Sequence, residues 1–234
     1  MPQPKIFSLI DKIIFDYEMI KDGDKILIAA SGGKDSTVLV EYFSKRARRK
    51  NCNFEYKALH IESEITKPID PELVKKMEEW NVPFENLFVD ILARVKPNQK
   101  MNCFWCATQR RTELLNYAIK NGFNKIALGH HMDDALETLL MNMTEKSELS
   151  TMPPFLKYEK YPVSIIRPLL YVPEEKIISH AKEAGYICHT CTCNYQDNSL
   201  RKQIRVKLEA LCDTPEKKEH MFYSLKNVQK EYLL

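Results

Sequence analysis

Residues 25–36 read KILIAASGGKDS, an apolar run followed by a glycine pair and polar residues. The run at residues 25–30 predicts a buried strand, and residues 37–43 predict a helix behind the turn. Two adjacent glycines let the backbone turn sharply and bring its N–H groups close to an anion. The start of the following helix adds free N–H groups and the positive end of its dipole. We therefore predict a pyrophosphate-binding turn at residues 31–36.

The spacing of this turn excludes a P-loop of the kinase and GTPase type. That motif needs a glycine five residues before its Gly-Lys-Ser/Thr, whereas Ile28 stands five residues before Gly33 and Asp35 follows the lysine. The run Ser-Gly-Gly-x-Asp-Ser resembles the pyrophosphate loop of N-type ATP pyrophosphatases. That resemblance implies cleavage of ATP between the α and β phosphates and transfer of AMP to an acceptor. An ordinary glycine turn is the alternative, and the serines, lysine and aspartate within the turn count against it.

The composition is that of an ordinary globular protein. The chain has 234 residues, 44% hydrophobic and 29% charged, which suits one α/β domain with an appendage or two small domains. No apolar stretch approaches the ~20 residues of a membrane span, and the first residues lack the apolar core of a signal peptide. We therefore expect a cytoplasmic protein with no membrane partner. The net charge of +3 does not by itself indicate nucleic-acid binding.

Apolar runs alternate with helical segments along the chain. Further strands are predicted at residues 54–61, 86–91, 125–128 and 164–169. The alternation predicts an α/β fold, a parallel five-stranded sheet flanked by helices, with an N-terminal helix and a C-terminal helical extension. The resemblance to ATP pyrophosphatases implies the adenine nucleotide alpha-hydrolase-like sheet of PP-loop ATPases. We place the N-terminal helix within residues 1–24, the catalytic domain at 25–195 and the extension at 196–234. Ligands are expected beyond the carboxyl ends of the strands.

The seven cysteines include two tight groups. Cys103 and Cys106 have a two-residue spacing, which lets both thiolates reach one metal centre, and they precede a predicted helix. The second group, about 80 residues later, consists of Cys188, Cys191 and Cys193. An odd cysteine count in a reducing compartment favours metal or redox chemistry over disulfides. From the ligands alone, a tetrahedral zinc site is the simpler interpretation and a [4Fe–4S] cluster with three cysteine ligands is the alternative.

Residues 129–138 read GHHMDDALET directly after the fourth predicted strand. Asp133, Asp134 and Glu137 place three carboxylates at one helix start, where acids also serve as plain N-terminal caps. Facing a pyrophosphate turn, one aspartate could instead help to hold Mg²⁺ on ATP. The sequence leaves three alternative roles for His130 and His131: a catalytic base, ligands of phosphate, or structural histidines.

The chain as a whole resembles the tRNA 2-thiocytidine synthetase family, which thiolates cytidine in the anticodon loop. The matching segments cover most of residues 5–207 and are the pyrophosphate turn, Cys103-x-x-Cys106 with Arg110-Arg111, and residues 16–24, 126–134, 140–143, 152–154 and 166–169. The resemblance implies a [4Fe–4S] cluster on Cys103, Cys106 and a later cysteine, and so reverses the preference for zinc. Counting forward from Arg167 places that third ligand at Cys191, with Cys193 and then Cys188 as alternatives.

The resemblance also implies a mechanism in which ATP adenylates the C2 oxygen of a pyrimidine and sulfur then replaces it. We expect sulfur from an iron-held hydrosulfide or from a cysteine persulfide. The expected nucleotide site uses Gly32, Gly33 and Lys34 for the β and γ phosphates. Its other expected members are Ser31 and Ser36 on phosphate oxygens, Asp35 and Asp133 on Mg²⁺, His60 and Ile61 beside the adenine, and Gly129 lining the site.

The expected partners are tRNA and a sulfur donor, either sulfide or a cysteine desulfurase product, and a homodimer is possible. Five basic residues are candidates for phosphate contacts with tRNA: Arg110, Arg111, Arg201, Lys202 and Arg205. Three other functions stay open: 2-thiouridine synthesis in tRNA, sulfur insertion into a small molecule by the same chemistry, and a non-catalytic nucleotide-binding protein stabilised by zinc.

Overall fold

A computed structural model describes residues 4–49, 52–66, 68–95, 103–186 and 200–232. Within these ranges helices and strands alternate as far as residue 146, and two strands and then three helices follow. Single 3₁₀ turns lie at Leu92–Arg94 and Lys230–Tyr232. In chain order the elements are α1 (Lys5–Asp16), β1 (Lys25–Ala29), α2 (Lys34–Arg46), β2 (Glu55–Glu62), α3 (Pro71–Glu79), β3 (Phe84–Phe88), α4 (Cys103–Lys120), β4 (Lys125–Ala127), α5 (Met132–Lys146), β5 (Phe155–Lys157), β6 (Ser164–Ile166), α6 (Glu174–Glu183), α7 (Leu200–Leu211) and α8 (Pro215–Ser224).

The strands form one sheet in the order β3-β2-β1-β4-β6-β5. Neighbouring strands are parallel except β5, which pairs antiparallel with β6 at the edge. The prediction of an α/β fold with a parallel sheet flanked by helices is confirmed, but the sheet has six strands rather than five. The sequence pattern does not predict β5 (Phe155–Lys157), because it directly follows two prolines and contains only two consecutive apolar residues.

The third strand also lies earlier than predicted, at Phe84–Phe88 instead of residues 86–91. Its pairing stops after Val89, whose N–H donates to the carbonyl of Glu62 at 2.9 Å. Asp90 then accepts the N–H of Ala93 at 2.9 Å and starts a 3₁₀ turn. A local side-chain hydrogen bond of this kind draws the backbone away from the ladder. The apolar run therefore continues past the end of the strand.

The central strand is β1, which explains its continuous apolar sequence. Leu27 lies opposite Lys57 of β2 and Ile126 of β4. Residues 26–28 are fully buried because helices cover both faces of the sheet. The carboxyl ends of β1, β2 and β4 therefore meet at one edge of the sheet. This edge carries the pyrophosphate turn after β1, residues 60–61 near the end of β2, and residues 129–131 after β4.

Two hydrophobic clusters fill the space between the sheet and the helices. One includes Phe7 of α1, Leu39 of α2 and Ile177 of α6. The other lies under α4 and includes Leu114 and Ala118. None of the helices in the described ranges is long and apolar enough to span a bilayer.

Both ends of the chain differ in detail from the prediction. Helical periodicity predicts a helix up to Ile20, but α1 ends at Asp16, since Glu18 adopts a left-handed φ of 45°. The C-terminal segment forms two helices, α7 and α8, which both contact α5. Thr214 separates them, because its hydroxyl accepts the N–H of Lys217 at 3.4 Å and caps α8.

Candidate active site at the carboxyl edge of the sheet

The pyrophosphate turn connects β1 to α2 as predicted. Gly32 has a φ of 84°, a conformation that favours glycine, and Gly33 immediately precedes α2. The hydroxyls of Ser36 and Thr37 each donate to the carbonyl of Gly33 at 3.0 Å. The Ser31 hydroxyl lies 3.1 Å from that of Ser36. These contacts brace the turn, while the first N–H groups of α2 have no partner within the helix itself.

The ammonium group of Lys34 lies between two carboxylates. Its Nζ is 2.8 Å from Oε1 of Glu174 and 3.1 Å from Oδ1 of Asp35. Burial acts to lower the pKa of Lys34, but the hydrogen bond to Glu174 and the charge of Asp35 outweigh burial and raise it. Lys34 is therefore a cation at neutral pH, as phosphate binding requires.

Gly129 brings the loop after β4 into contact with the pyrophosphate turn. A Cβ at position 129 would lie 3.1 Å from the backbone nitrogen of Ser36 and 3.3 Å from the carbonyl carbon of Asp35. The absence of a side chain lets the two loops approach this closely. Of the predicted nucleotide-site residues, Gly129 thus lies directly against the turn at residues 31–36.

Asp133 is buried at the start of α5, and both of its carboxylate oxygens have partners. Oδ2 accepts the backbone N–H of Glu174 at 2.8 Å, and Oδ1 accepts from Nζ of Lys218 at 2.8 Å. Burial acts to raise the pKa of Asp133, but the bonds from Lys218 and Glu174 outweigh it and lower the pKa. Asp133 therefore connects the starts of α5 and α6 to α8.

The two other acids of α5 bind arginines of α7. Asp134 accepts from Arg201 at 3.0 Å, and the fully buried Glu137 accepts from Nε of Arg205 at 2.6 Å. Burial raises the pKa of Glu137 despite Arg205. These arginines are candidate tRNA contacts from the sequence, and the structure directs both toward acids of the same chain.

His130 and His131 follow Gly129 on the same loop. Burial lowers the pKa of His130 to about 4, so the ring is neutral at physiological pH. Nε of Arg167 lies 3.4 Å from Nδ1 of His130. The backbone N–H of His131 donates to Asp134 at 3.1 Å. Its buried Nδ1 has no hydrogen-bond partner within the described ranges.

His60 and Ile61 lie near the carboxyl end of β2, and both are buried. Nδ1 of His60 is 2.7 Å from the carbonyl oxygen of Ala30, which can only accept, so Nδ1 carries the proton. Burial lowers the pKa of His60 and keeps the ring neutral. Its Nε2 is therefore an acceptor, buried and without a hydrogen-bond partner among the residues that the structure describes.

The first cysteine pair lies in the first turn of α4. Cys103 is the first residue of the helix, and Cys106 follows three residues later with a free, partly buried thiol. Residues three apart in a helix share a face. Since the chain leaves β3 and returns to parallel β4, this first turn lies at the same carboxyl edge as the pyrophosphate turn. The role of Cys103 and Cys106 as ligands of one metal centre stays a prediction.

The other cysteines predicted for the cluster site, Cys191, Cys188 and Cys193, lie outside the described residues. Within the described ranges, no group of three His, Cys, Asp or Glu side chains is arranged to hold a metal ion. The assignment of Asp35 and Asp133 to Mg²⁺ stays a prediction.

The family follows from comparison with known proteins. A family model described as a PP-loop domain matches residues 3–211. The chain belongs to the PP-loop family.

Three curated relatives of this PP-loop protein carry the name tRNA-cytidine(32) 2-sulfurtransferase. The protein from Legionella pneumophila is 32% identical over 99% of this chain and 84% of its own length. The protein from Coxiella burnetii is 31% identical, with 99% and 93% coverage. The protein from Alkalilimnicola ehrlichii is 34% identical, with 99% and 75% coverage. They confirm the resemblance to the tRNA 2-thiocytidine synthetase family.

Solved structures confirm the fold. The U34-tRNA thiolase NcsA from Methanococcus maripaludis, solved with its [4Fe–4S] cluster, superimposes with a TM-score of 0.75 at 23% identity, covering 98% of this chain and 80% of that one. NMN synthetase from Francisella tularensis has a TM-score of 0.52 at 13% identity, with 97% and 94% coverage. The PP-loop sheet and its flanking helices are common to these proteins.

Sequence analysis missed two residues of this PP-loop site, Glu174 and Lys218. Glu174 follows Pro173 at a helix start, where an acid is ordinary, and Lys218 lies in a run of charged residues. Neither position has a local signal. In contrast, the four-residue spacing of Arg201 and Arg205 places both on one helix face. The acids at positions 134 and 137 also share one helix face, so the two spacings together indicate that these acids could pair with the two arginines.

Proposed function

We propose that this protein is an ATP-dependent tRNA sulfurtransferase that replaces the C2 oxygen of a cytidine with sulfur, at the position 32 named in its relatives. The observation that carries the proposal is the contact between the pyrophosphate turn and the loop at Gly129. The connection from β3 through α4 to parallel β4 supports it, since such a connection begins its helix at the same edge of the sheet, and α4 begins with the cysteine pair. The names of relatives at 31–34% identity support the choice of cytidine in tRNA.

In the first proposed step, the C2 oxygen of the base attacks the α phosphorus of ATP and pyrophosphate leaves. The N–H groups of the turn and the Lys34 ammonium would bind the β and γ phosphates. Asp35, whose buried Oδ1 lies 3.1 Å from Nζ of Lys34 but makes no hydrogen bond of good geometry within the described ranges, would contribute a carboxylate to Mg²⁺. We propose that Asp133 orients this site through Glu174 and Lys218.

The adenine would lie against the end of β2. His60 offers a buried acceptor at Nε2, which matches the amino group of adenine, a hydrogen-bond donor. Ile61 is also buried and offers apolar contact. This pairing would satisfy a buried polar atom that has no other described partner.

In the second proposed step, sulfur attacks C2 and AMP leaves with the original oxygen. Cys103 and Cys106 would hold the [4Fe–4S] cluster, with Cys191 as the third ligand and Cys193 or Cys188 as alternatives. When bound, such a cluster would supply an iron without a cysteine ligand for sulfur chemistry. Sulfide or a desulfurase product as donor, a homodimer and a cytoplasmic location remain proposals from the sequence.

The tRNA would approach the same edge. Arg110 lies on α4 beyond the cysteine pair and has a buried Nε without a hydrogen-bond partner in the described part of the chain. Arg111 is exposed one residue later. Because Arg201 and Arg205 already pair with acids, we assign the first phosphate contacts to Arg110 and Arg111.

The experiment uses the full chain purified without oxygen and incubated with ATP, Mg²⁺, sulfide and unmodified tRNA. Nucleoside mass analysis should reveal 2-thiocytidine, with one AMP and one pyrophosphate formed per sulfur inserted. Iron and labile sulfide should each approach about four per chain, as a [4Fe–4S] cluster requires. Appearance of 2-thiouridine would reassign the base. Zinc without labile sulfide, together with unmodified tRNA, would overturn the proposal.

A further inference from the structure

Glu174 forms an ion pair with Lys34, the residue of the pyrophosphate turn that is proposed to bind phosphate. Its Oε1 lies 2.8 Å from Nζ of Lys34, across 140 residues of sequence. The side chains are only 17% exposed for Lys34 and 22% exposed for Glu174. Solvent screens a partly buried ion pair of this kind much less than it screens a pair on the surface. The contact is therefore a substantial competitor for any anion that must bind Lys34.

Several charged groups around Glu174 keep it ionised. Burial acts to raise its pKa, but the hydrogen bond from Lys34 and the charges of His131, Lys34 and Arg205 outweigh burial and lower it. Oε2 of Glu174 lies 3.7 Å from Nη1 of Arg205, and Oε1 lies 3.9 Å from Nε2 of His131. The neighbouring acids Asp35 and Asp133 contact Lys34 and the Glu174 backbone, respectively. If Lys34 left Glu174, the guanidinium of Arg205 would therefore remain beside the Glu174 carboxylate as a second cation.

Phosphates and Glu174 compete for the same ammonium. When ATP occupies the turn, phosphate oxygens would compete with Glu174 and Asp35 for the three N–H donors of Lys34. Glu174 can then move the short distance to Arg205 and keep a charged partner. When pyrophosphate leaves, Glu174 can recapture Lys34. The exchange needs only side-chain rotation, because the Glu174 backbone stays bonded to Asp133.

We propose that Glu174 is a positioning residue that holds Lys34 while the nucleotide site is empty and transfers to Arg205 when phosphates take Lys34. This inference rests on the proposed ATP site and deepens it. It makes Glu174 a determinant of ATP affinity and of pyrophosphate release, although the residue touches neither ligand.

The test is binding of ATP and of pyrophosphate to the full chain by calorimetry, with Mg²⁺ and without tRNA. Glu174→Gln keeps the size of the side chain but removes its charge, so Lys34 is released more readily. We expect both ligands to bind about tenfold more tightly, the scale of one charged hydrogen bond that no longer has to be broken. Glu174→Asp draws the carboxylate back by one methylene, and an intermediate tightening is expected.

The matched control is Glu175→Gln, which removes the same charge from the next, exposed position of α6. It should bind both ligands as wild type does. Equal affinities in Glu174→Gln and Glu175→Gln would overturn the inference. So would weaker ATP binding with a raised Mg²⁺ requirement, because Glu174 would then be a metal ligand. Failure of the wild type to bind ATP at all would instead overturn the proposed function.

Discussion

Gly129 packs so closely against the backbone of Ser36 that no room remains for a methyl group at position 129. A Cβ at position 129 would come within 3.1 Å of the Ser36 backbone nitrogen, and that atom belongs to the first turn of α2. Backbone at a helix start is less able to move than the end of a flexible side chain. The contact therefore couples the loop after β4 directly to the geometry of the pyrophosphate turn.

Gly129→Ala is expected to weaken ATP binding at least tenfold, since the helix start must shift to admit the methyl group. Overpacking of this kind also costs about 1–3 kcal/mol of folding free energy. Calorimetric titration with ATP and urea unfolding would measure the two effects. The control is Gly122→Ala, where the methyl meets open space but the φ of 72° is strained. It should lose stability while ATP affinity stays unchanged, and equal ATP affinity in both variants would contradict the coupling.

Lys218→Gln is expected to destabilise the fold, because it leaves the buried carboxylate of Asp133 without its cation. Loss of one partner from a buried pair costs up to about 3–5 kcal/mol, and the partial exposure of Lys218 places the expected value at about 2 kcal/mol. Urea unfolding would measure the loss. Lys217→Gln is the control, since Lys217 pairs with Asp213 on the surface and should change stability by less than about 1 kcal/mol. Similar losses in both variants would mean that Lys218 acts only as a surface charge.

The parts of the fold that sequence analysis predicts well are those fixed by neighbouring residues. The apolar run of β1, the glycine turn with a φ of 84° at Gly32 and the start of α2 all follow from local rules. Alternation of such segments is enough to indicate a parallel sheet, and the sheet then places its loops at one edge. This is why Gly129 and the turn at residues 31–36 could be predicted to share a site.

The partners of the site residues could not be predicted in the same way. Lys34 and Glu174 are 140 residues apart, and Asp133 and Lys218 are 85 residues apart. Their contact depends on how α6 and α8 dock on the sheet, which no local pattern specifies. The acids at positions 133, 134 and 137 therefore look like ordinary caps in the sequence, whereas the structure pairs each of them with a cation from α7 or α8.

Cys106→Ser and Asp35→Ala are expected to abolish thiolation for separate reasons. The first should remove the iron–sulfur absorbance while ATP binding persists, because α4 and the pyrophosphate turn belong to different elements. The second should keep iron and labile sulfide but lose ATP-dependent release of pyrophosphate. Metal analysis and a pyrophosphate assay on each variant would separate the two. Cys52→Ser is the control for cysteine loss, and it should retain both cluster and activity. Full thiolation by either test variant would show that its assigned role is wrong.

Acid should destabilise this protein partly through His130, whose pKa burial lowers to about 4 from an ordinary value of 6.5. Between these values the unfolded chain binds a proton that the folded chain does not, so stability falls as the pH drops below 6.5. Each pH unit in this window costs up to about 1.4 kcal/mol. His130→Gln removes the titrating group, and its loss of stability between pH 7.5 and pH 5 should be smaller than that of the wild type. Urea unfolding at the two pH values measures this difference. The exposed His220→Gln serves as control and should follow the wild type. Equal acid sensitivity in the wild type and His130→Gln would mean that the ring of His130 takes up its proton without cost, which contradicts its neutral state in the fold.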